Sequence, residues 1–195
     1  RKQAQGSAHR QEQLRLSNLI GYERMTFETF DAERFDLRPN EKDALMRAKK
    51  MAVSFATNLQ GWLFFQGGYG VGKTHLAAAI ANEVLRQGVD CIFQPVPDLL
   101  DWIRATYKRG GETYTTRFER IKNVPVLILD DLGAESGTEW ADEKLFQIFN
   151  HRVVHHLATV ITTNIDPKEM DGRIESRLND PSLVTRIFLD IRDYR

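Results

Sequence analysis

A glycine-rich run between an apolar segment and a helical segment is the feature that most constrains the fold. The run reads GGYGVGKT, and it follows WLFFQ and precedes HLAAAIANEVLRQ. This spacing matches G-x-x-x-x-G-K-[ST], whose glycines let backbone N–H groups surround phosphate oxygens at the start of a helix. We therefore expect the ligand-binding residues Gly67, Gly68, Tyr69, Gly70, Val71, Gly72, Lys73, Thr74 and, at the start of the helix, His75.

Two side chains of this run carry the expected chemistry. Lys73 supplies a full positive charge to the phosphates, and the Thr74 hydroxyl is placed to hold Mg²⁺. The alternative is a glycine-rich turn with no ligand. The intact spacing and the flanking segments favour phosphate binding.

From residue 61 onward, short apolar runs alternate with longer helical segments. The pattern predicts strands over 62–66, 91–94, 124–129, 159–163 and 184–191. It predicts helices over 72–87, 97–107, 112–122, 139–156 and 172–179. Apolar strands separated by helices of this length are typical of an α/β fold with a five-stranded parallel sheet flanked by helices on both faces.

The first sixty residues are less regular. Residues 1–24 are polar and basic, and we interpret them as a short N-terminal helix or arm, followed by one domain over 25–195. Within that domain, Pro39 opens a predicted helix that runs to about Asn58. The predicted apolar side of this helix carries Ala44, Leu45, Ala48, Val53 and Phe55.

Composition excludes several classes of protein. The 27 basic and 27 acidic side chains cancel, which excludes a uniformly basic nucleic-acid binder but leaves room for a local basic surface. The single cysteine, Cys91, excludes an intrachain disulfide and fits a reducing, cytoplasmic compartment. No apolar run approaches the roughly 18 residues of a membrane helix, so we expect no membrane partner.

Polar side chains follow two of the predicted strands. Asp130 and Asp131 come directly after VLIL, and Asn164 comes directly after TVITT. The carboxyl ends of parallel strands share one edge of the sheet, so these side chains are expected beside the glycine-rich run. Asp130 is predicted to hold Mg²⁺, Asp131 to orient a water, and Asn164 to bond the terminal phosphate or that water. The alternatives are a solvated acidic turn and an ordinary turn after a strand.

The C-terminal segment 171–195 is rich in arginine but has no net charge. An arginine that follows the strand of Asn164 is placed to reach the terminal phosphate bound by a neighbouring subunit. The alternative is that Arg173 and Arg177 form ordinary surface pairs with Glu175 and Asp180, which contribute little.

Four segments in a fixed order carry a family resemblance: GGYGVGKTHLAAAIANE, VPVLILDDLGAE, ITTN and RIESRL. Together they resemble the AAA+ ATPase domain of bacterial replicative-helicase loaders, the DnaC and DnaI proteins. The related IstB transposition helpers share most of the pattern. The similarity covers about residues 25–195 and implies an AAA+ P-loop fold that binds ATP and Mg²⁺. The sequence departs from the family where it stops at the expected second sensor, so we expect little or no C-terminal lid.

The resemblance also implies residue roles. Lys73 and Thr74 match the phosphate and Mg²⁺ ligands, and Asn164 matches the first sensor. Arg177 matches the arginine that acts in trans, and Arg195 is the candidate for the second sensor in cis. An aspartate at 131, where the wider AAA+ class has glutamate, implies slow, partner-stimulated hydrolysis.

Loaders of this family bind single-stranded DNA through the region after the second strand, here residues 101–122. The region mixes cations with aromatic rings: Arg104, Lys108, Arg109, Arg117, Arg120 and Lys122 with Trp102, Tyr107, Tyr114 and Phe118. Cations suit phosphates, and aromatic faces suit unpaired bases. The alternative is two amphipathic helices whose aromatic side chains belong to the core.

The sequence thus predicts an ATP-hydrolysing switch that loads or regulates the replicative helicase, binds single-stranded DNA and self-associates through Arg177. A transposition helper that binds DNA and a transposase is the first alternative. A small-molecule kinase is the second, but an acidic pair followed by a sensor strand suits water activation better than transfer to an acceptor.

Overall fold

Five parallel strands form one sheet in a computed structural model that describes residues 17–107, 112–133 and 138–192. The strands are β1 (Trp62–Gly67), β2 (Cys91–Pro95), β3 (Val126–Leu132), β4 (Ala158–Thr163) and β5 (Val184–Leu189). Their order across the sheet is β2-β3-β4-β1-β5, and every neighbouring pair is parallel. The predicted five-stranded parallel sheet is confirmed.

Six α-helices connect and cover the strands of the described residues. They are α1 (Pro39–Asn58), α2 (Lys73–Arg86), α3 (Val96–Tyr107), α4 (Glu112–Asn123), α5 (Glu139–Val154) and α6 (Gly172–Leu178). None of the helices in these ranges has the length and the apolarity that crossing a membrane requires.

Strands β1 to β4 are buried on both faces, which explains why they are largely apolar, whereas the edge strand β5 exposes Thr185, Arg186 and Phe188. Side chains such as Phe65 and Ile128 pack with α1 and α2 on one face. On the other face, Phe64, Leu127 and Leu129 pack with α3 to α6. The helices on both faces exclude water from the sheet, so its chemistry is confined to the strand ends.

Two sequence predictions of the first sixty residues need correction. Residues 1–16 lie outside the described residues, but 17–24 form turns instead of the predicted helix. Asn18 and Gly21 have positive φ, at 59° and 93°, which a right-handed helix does not allow. The segment instead lies along the open edge of β2, where the Phe93 N–H donates to the Ser17 carbonyl at 2.9 Å.

The second correction concerns α1, whose bounds match the prediction. Its buried side is formed by Leu45, Ala48, Ala52 and Phe55, at the spacing of one helix face. Val53 is 41% exposed, because it lies one residue beyond Ala52 and is rotated by about 100° from the core.

Candidate nucleotide-binding site

The glycine-rich run connects β1 to α2 at the carboxyl edge of the sheet. Gly67 has no space for a side chain, because a Cβ there would lie 2.5 Å from the Leu189 carbonyl of β5. Gly70 and Gly72 have positive φ, at 71° and 92°, which glycine adopts without strain. The sequence forms a loop here because only these glycines allow its turns beside the neighbouring strand.

This loop borders a cavity of about 520 Å³. Small-molecule sites usually measure about 300–1,000 Å³, so the space suits a nucleotide. Met25, Thr162 and Asn164 line it together with both aspartates and the loop residues from Tyr69 to His75. The Val71 side chain is buried in the core, so its backbone N–H is the group that can meet a phosphate.

Lys73 is the buried cation of the site. It is 6% exposed, and its Nζ donates to the carbonyls of Gly67 at 2.9 Å and Gly68 at 2.6 Å and to Asn164 Oδ1 at 2.6 Å. These bonds fix the ammonium group between the loop and the tip of β4. The placement suits a group that neutralises phosphate charge.

Asp130 is the buried anion beside it. The Thr74 hydroxyl lies 3.1 Å from both carboxylate oxygens, and the Thr162 hydroxyl donates to Oδ1 at 2.7 Å. Burial raises the pKa of Asp130, the two hydroxyl hydrogen bonds oppose that rise, and the charge of Asp131 adds to it. A buried carboxylate and a hydroxyl beside a phosphate loop form the oxygen ligand set that Mg²⁺ prefers.

Asp131 has a different geometry, although it follows Asp130 directly. The pairing of β3 with β4 is irregular between Leu129 and Leu132, and Asp131 has a φ of 61° within this bulge. Its carboxylate accepts from Asn164 Nδ2 at 2.5 Å. Lys73, Asn164 and Asp131 thus form one continuous hydrogen-bonded chain across the cavity.

Similarity to known proteins identifies the family of the chain. The family described as "IstB-like ATP binding protein" matches residues 2–191 of the chain. The chain belongs to the IstB-like ATP-binding proteins. Its fold is that of the AAA+ class of P-loop proteins.

Two curated relatives of this IstB-like chain are replicative helicase loaders. DnaI of Bacillus subtilis is 35% identical over 109 residues, which cover 55% of this chain and 34% of DnaI. DnaC of Escherichia coli K12 is 28% identical over 140 residues, which cover 72% of this chain and 57% of DnaC. The chain therefore spans between a third and somewhat over half of the length of these relatives.

Solved structures of replication proteins share the fold. A crystal structure of DnaI superposes with a TM-score of 0.72 and 27% identity over 87% of this chain and 93% of the other. A structure of the initiator DnaA bound to AMPPCP and single-stranded DNA gives a TM-score of 0.68 and 25% identity over 85% of this chain and 50% of the other. ATP-binding character follows from the family.

His75 of the IstB-like chain contacts the N-terminal segment. Its ring Nε2 lies 3.0 Å from the Thr26 carbonyl and 3.2 Å from the Thr29 hydroxyl, and Phe30 packs edge-on against it. Burial lowers the pKa of His75. The ring lines the cavity while it fastens the 26–30 segment to α2, so its contact with a ligand stays a prediction.

Arg177 lies on α6, outside the cavity of its own chain. Its guanidinium donates to Asn150 Oδ1 at 2.8 Å and to the Arg173 carbonyl at 3.0 Å, and it lies 4.5 Å from the Phe146 ring centre. The alternative pairing was wrong, because Arg173 forms ion pairs with Asp171 and with Glu143 from α5. Arg195 lies outside the described residues.

The aromatic side chains that the structure describes in region 101–122 lie in the core or pack against it. Phe118 is 6% exposed, as the amphipathic-helix alternative predicts. Trp102 and Tyr114 are half-buried and stack, with ring centres 6.1 Å apart, and Arg117 lies 4.5 Å above Trp102. Lys108 and Arg109 lie outside the described residues, as does the side chain of Tyr107.

Sequence reasoning missed three residues that matter here. Met25 lines the cavity from the N-terminal segment, Thr162 contacts both aspartates, and Arg152 is fully buried under the sheet. The motif ITTN contains Thr162, and strand alternation would have turned its side chain toward the face opposite Thr163. No sequence signal distinguishes Arg152 from other helical arginines.

Proposed function

We propose that this chain is a cytoplasmic ATP-driven switch that hydrolyses ATP and loads or regulates a replicative DNA helicase. The observation that carries the proposal is the hydrogen-bonded chain from Lys73 through Asn164 to Asp131, beside the Thr74–Asp130 pair. It brings a cation, a sensor amide and two carboxylates to the end of one phosphate loop.

Each residue of this group has a role in the proposal. The loop N–H groups and Lys73 would bind the β- and γ-phosphates. Thr74 and Asp130 would hold Mg²⁺, which when bound would supply positive charge near the phosphates. Asp131 orients the attacking water, and Asn164 aligns the Asp131 carboxylate. An aspartate is one methylene shorter than a glutamate, so we expect slow hydrolysis that a partner stimulates.

Self-association would complete the site. Arg177 lies outside its own cavity, and its Nε is buried without a hydrogen-bond partner among the described residues. We propose that the guanidinium reaches the γ-phosphate bound by the next subunit, and that Arg195 acts within its own subunit. An arginine added to such a site stabilises charge in the transition state.

The relatives support a partner in DNA replication. Two curated relatives are named replicative helicase loaders, and a structural neighbour is DnaA bound to single-stranded DNA. We propose the replicative helicase and single-stranded DNA as partners, with the Trp102–Tyr114–Arg117 surface contacting DNA. Because the family takes its name from IstB, a transposition helper is the alternative.

The first experiment tests ATP binding. Lys73→Ala should weaken the binding of a fluorescent ATP analogue by about 10- to 100-fold, the value of one charge-assisted hydrogen bond. Lys50→Ala is the matched control, because Lys50 is exposed on α1. Unchanged binding by the Lys73 variant contradicts the proposal, and phosphate released only onto an acceptor would favour a kinase.

The second experiment tests the arginine in trans. Lys73→Ala and Arg177→Ala proteins should each be inactive in phosphate release, and a mixture should recover activity, because one supplies the arginine and the other binds ATP. A mixture with Arg173→Ala in place of Arg177→Ala is the control for general mixing effects. The assignment fails if no ratio restores phosphate release.

The third experiment identifies the partners. Immobilised protein with ATP should retain the replicative helicase of the same organism, and retention of a transposase instead would favour the alternative.

A further experiment tests DNA binding. Arg117→Ala should weaken the binding of a single-stranded oligonucleotide and lower the slope of log affinity against log salt concentration by about 1. Arg86→Ala, an exposed cation on α2, should leave that slope unchanged.

A further inference from the structure

One buried hydroxyl contacts both acids of the site. Thr162, in β4, is 1% exposed, and its Oγ1 donates to Asp130 Oδ1 at 2.7 Å. The same oxygen accepts the backbone N–H of Asp131 at 2.8 Å. A hydroxyl has one proton and two lone pairs, so it can make both bonds at once.

The second of these bonds satisfies a backbone N–H at the bulge between β3 and β4. The bulge leaves the extra residue of β3 outside the regular ladder, so its backbone N–H needs another acceptor. A left-handed conformation is unfavourable for a residue with a Cβ, and Asp131 adopts it with a φ of 61°. The Thr162 hydroxyl satisfies the Asp131 N–H in this conformation, and the conformation directs the Asp131 carboxylate to Asn164.

The neighbouring threonine provides a contrast. Thr163 is equally buried, but strand alternation turns its hydroxyl to the other side. Its Oγ1 donates to the Leu132 carbonyl at 2.6 Å and accepts the Ile165 N–H at 3.2 Å. Thr162 and Thr163 therefore make the same number of local hydrogen bonds, but only the hydroxyl of Thr162 contacts the two aspartates.

We infer that Thr162 is a positioning residue that fixes the Mg²⁺ carboxylate of Asp130 and the water-orienting carboxylate of Asp131 relative to each other. This inference rests on the proposed function of the same site. One hydroxyl makes the two acids a single unit, so a change in the position of either acid is transmitted to the other through Oγ1.

The test compares three variants, each with one substitution at a buried threonine of β4. Thr162→Val removes the hydroxyl at nearly constant volume, Thr162→Ser retains it, and Thr163→Val removes the other hydroxyl of the strand. Electron paramagnetic resonance measures the Mn²⁺ affinity of each variant in the presence of ADP. The affinity for nucleotide without metal, kcat, KM and Tm are measured for the same variants.

Thr162→Val should lower Mn²⁺ affinity by about 10- to 100-fold, the usual effect of removing a support for a metal ligand. Its kcat should fall by roughly 100-fold, because Asp131 is misplaced, while metal-free nucleotide affinity and KM for ATP change little. Thr162→Ser should restore both values. Thr163→Val should lower Tm by a similar amount but retain the Mn²⁺ affinity.

Two results would overturn the inference: parental Mn²⁺ affinity in Thr162→Val, or an equal loss in both valine variants. Failure of the proposed function has a different signature. If the parent protein binds Mn²⁺ and ADP but releases no phosphate, hydrolysis is wrong, and the metal measurement still decides the role of Thr162.

Discussion

Two buried polar clusters occupy opposite ends of the sheet, and they are built on different principles. At the amino ends of β3 and β4, Arg152 from α5 is fully buried. Its guanidinium donates to the carbonyls of Val124 at 2.9 Å and Ala158 at 2.6 Å and to the Thr159 hydroxyl at 2.9 Å. At the carboxyl ends, the nucleotide site holds a lysine and two carboxylates.

The two clusters differ in the groups that surround their buried charges. Every oxygen that accepts from Arg152 is neutral, and most are backbone carbonyls of the segment before β3. Burial lowers the pKa of Arg152 to about 9, so the group remains protonated near neutral pH. The carboxyl-end cluster instead places like charges together and bends Asp131 into a left-handed conformation. The first cluster stabilises the fold, whereas the second contains unfavourable features, which we attribute to the proposed hydrolysis.

The largest expected effect tests the stabilising end. Arg152→Leu should lower the free energy of unfolding by about 3–5 kcal/mol, because several buried carbonyls lose their donor at about 1–3 kcal/mol each. In a chain of this size, each kcal/mol lowers Tm by about 2–4 °C. Denaturant unfolding measures the loss, and nucleotide affinity well below Tm should be retained.

Arg86→Ala is the control for Arg152→Leu. Arg86 also lies in the last turn of a helix, but it is exposed and pairs with Glu83 at 2.6 Å. Its loss should cost less than about 0.5 kcal/mol. If Arg152→Leu costs as little, the buried guanidinium does not stabilise the fold and the contrast between the two ends disappears.

A second, smaller effect of opposite sign is expected at the carboxyl end. The pKa of Asp130 is raised in the folded state, so the ionised carboxylate opposes folding above that raised value. Asp130→Asn should therefore raise Tm at neutral pH without metal, by about 2–4 °C if the gain is near 1 kcal/mol. The gain should vanish as the pH falls below the ordinary aspartate pKa of about 3.9.

Asp101→Asn is the matched control, because Asp101 is exposed on α3 and forms a long pair with Arg104 at 3.8 Å. It should change stability by less than about 0.5 kcal/mol. If Asp130→Asn instead lowers Tm by as much as is expected for Arg152→Leu, the main role of Asp130 is to stabilise the fold.

The sequence predicts the carboxyl end far better than the amino end. Lys73, Asp130 and Asn164 could be brought together in advance, because parallel strands align their ends and each residue follows a recognisable strand. The bulge at Asp131 depends on the register between β3 and β4, which local patterns do not encode. Arg152 depends on carbonyls more than twenty residues away in the chain, so only the folded structure reveals its role.

The same limit explains the errors near the N-terminus. The open edge of β2 and the core site that buries Leu19 determine the path of residues 17–24. Tertiary contacts override local propensity in such a segment. The helix α1 could be predicted because Pro39 marks its start and because three apolar turns carry a consistent face.

The smallest expected effect concerns His75, which belongs to the carboxyl end but behaves as a fold contact. Burial lowers the pKa of His75, so the unfolded state takes up a proton before the folded state does. Stability should therefore fall as the pH decreases through the ordinary histidine pKa of about 6.5.

In His75→Gln, Tm should lose part of its dependence on pH between about pH 7.5 and 5.5. Thermal unfolding of both proteins across this range measures the difference. If His75→Gln leaves the pH profile unchanged, the ring does not fasten the 26–30 segment in the neutral form, and His75 belongs with the ligand-binding residues of the loop instead.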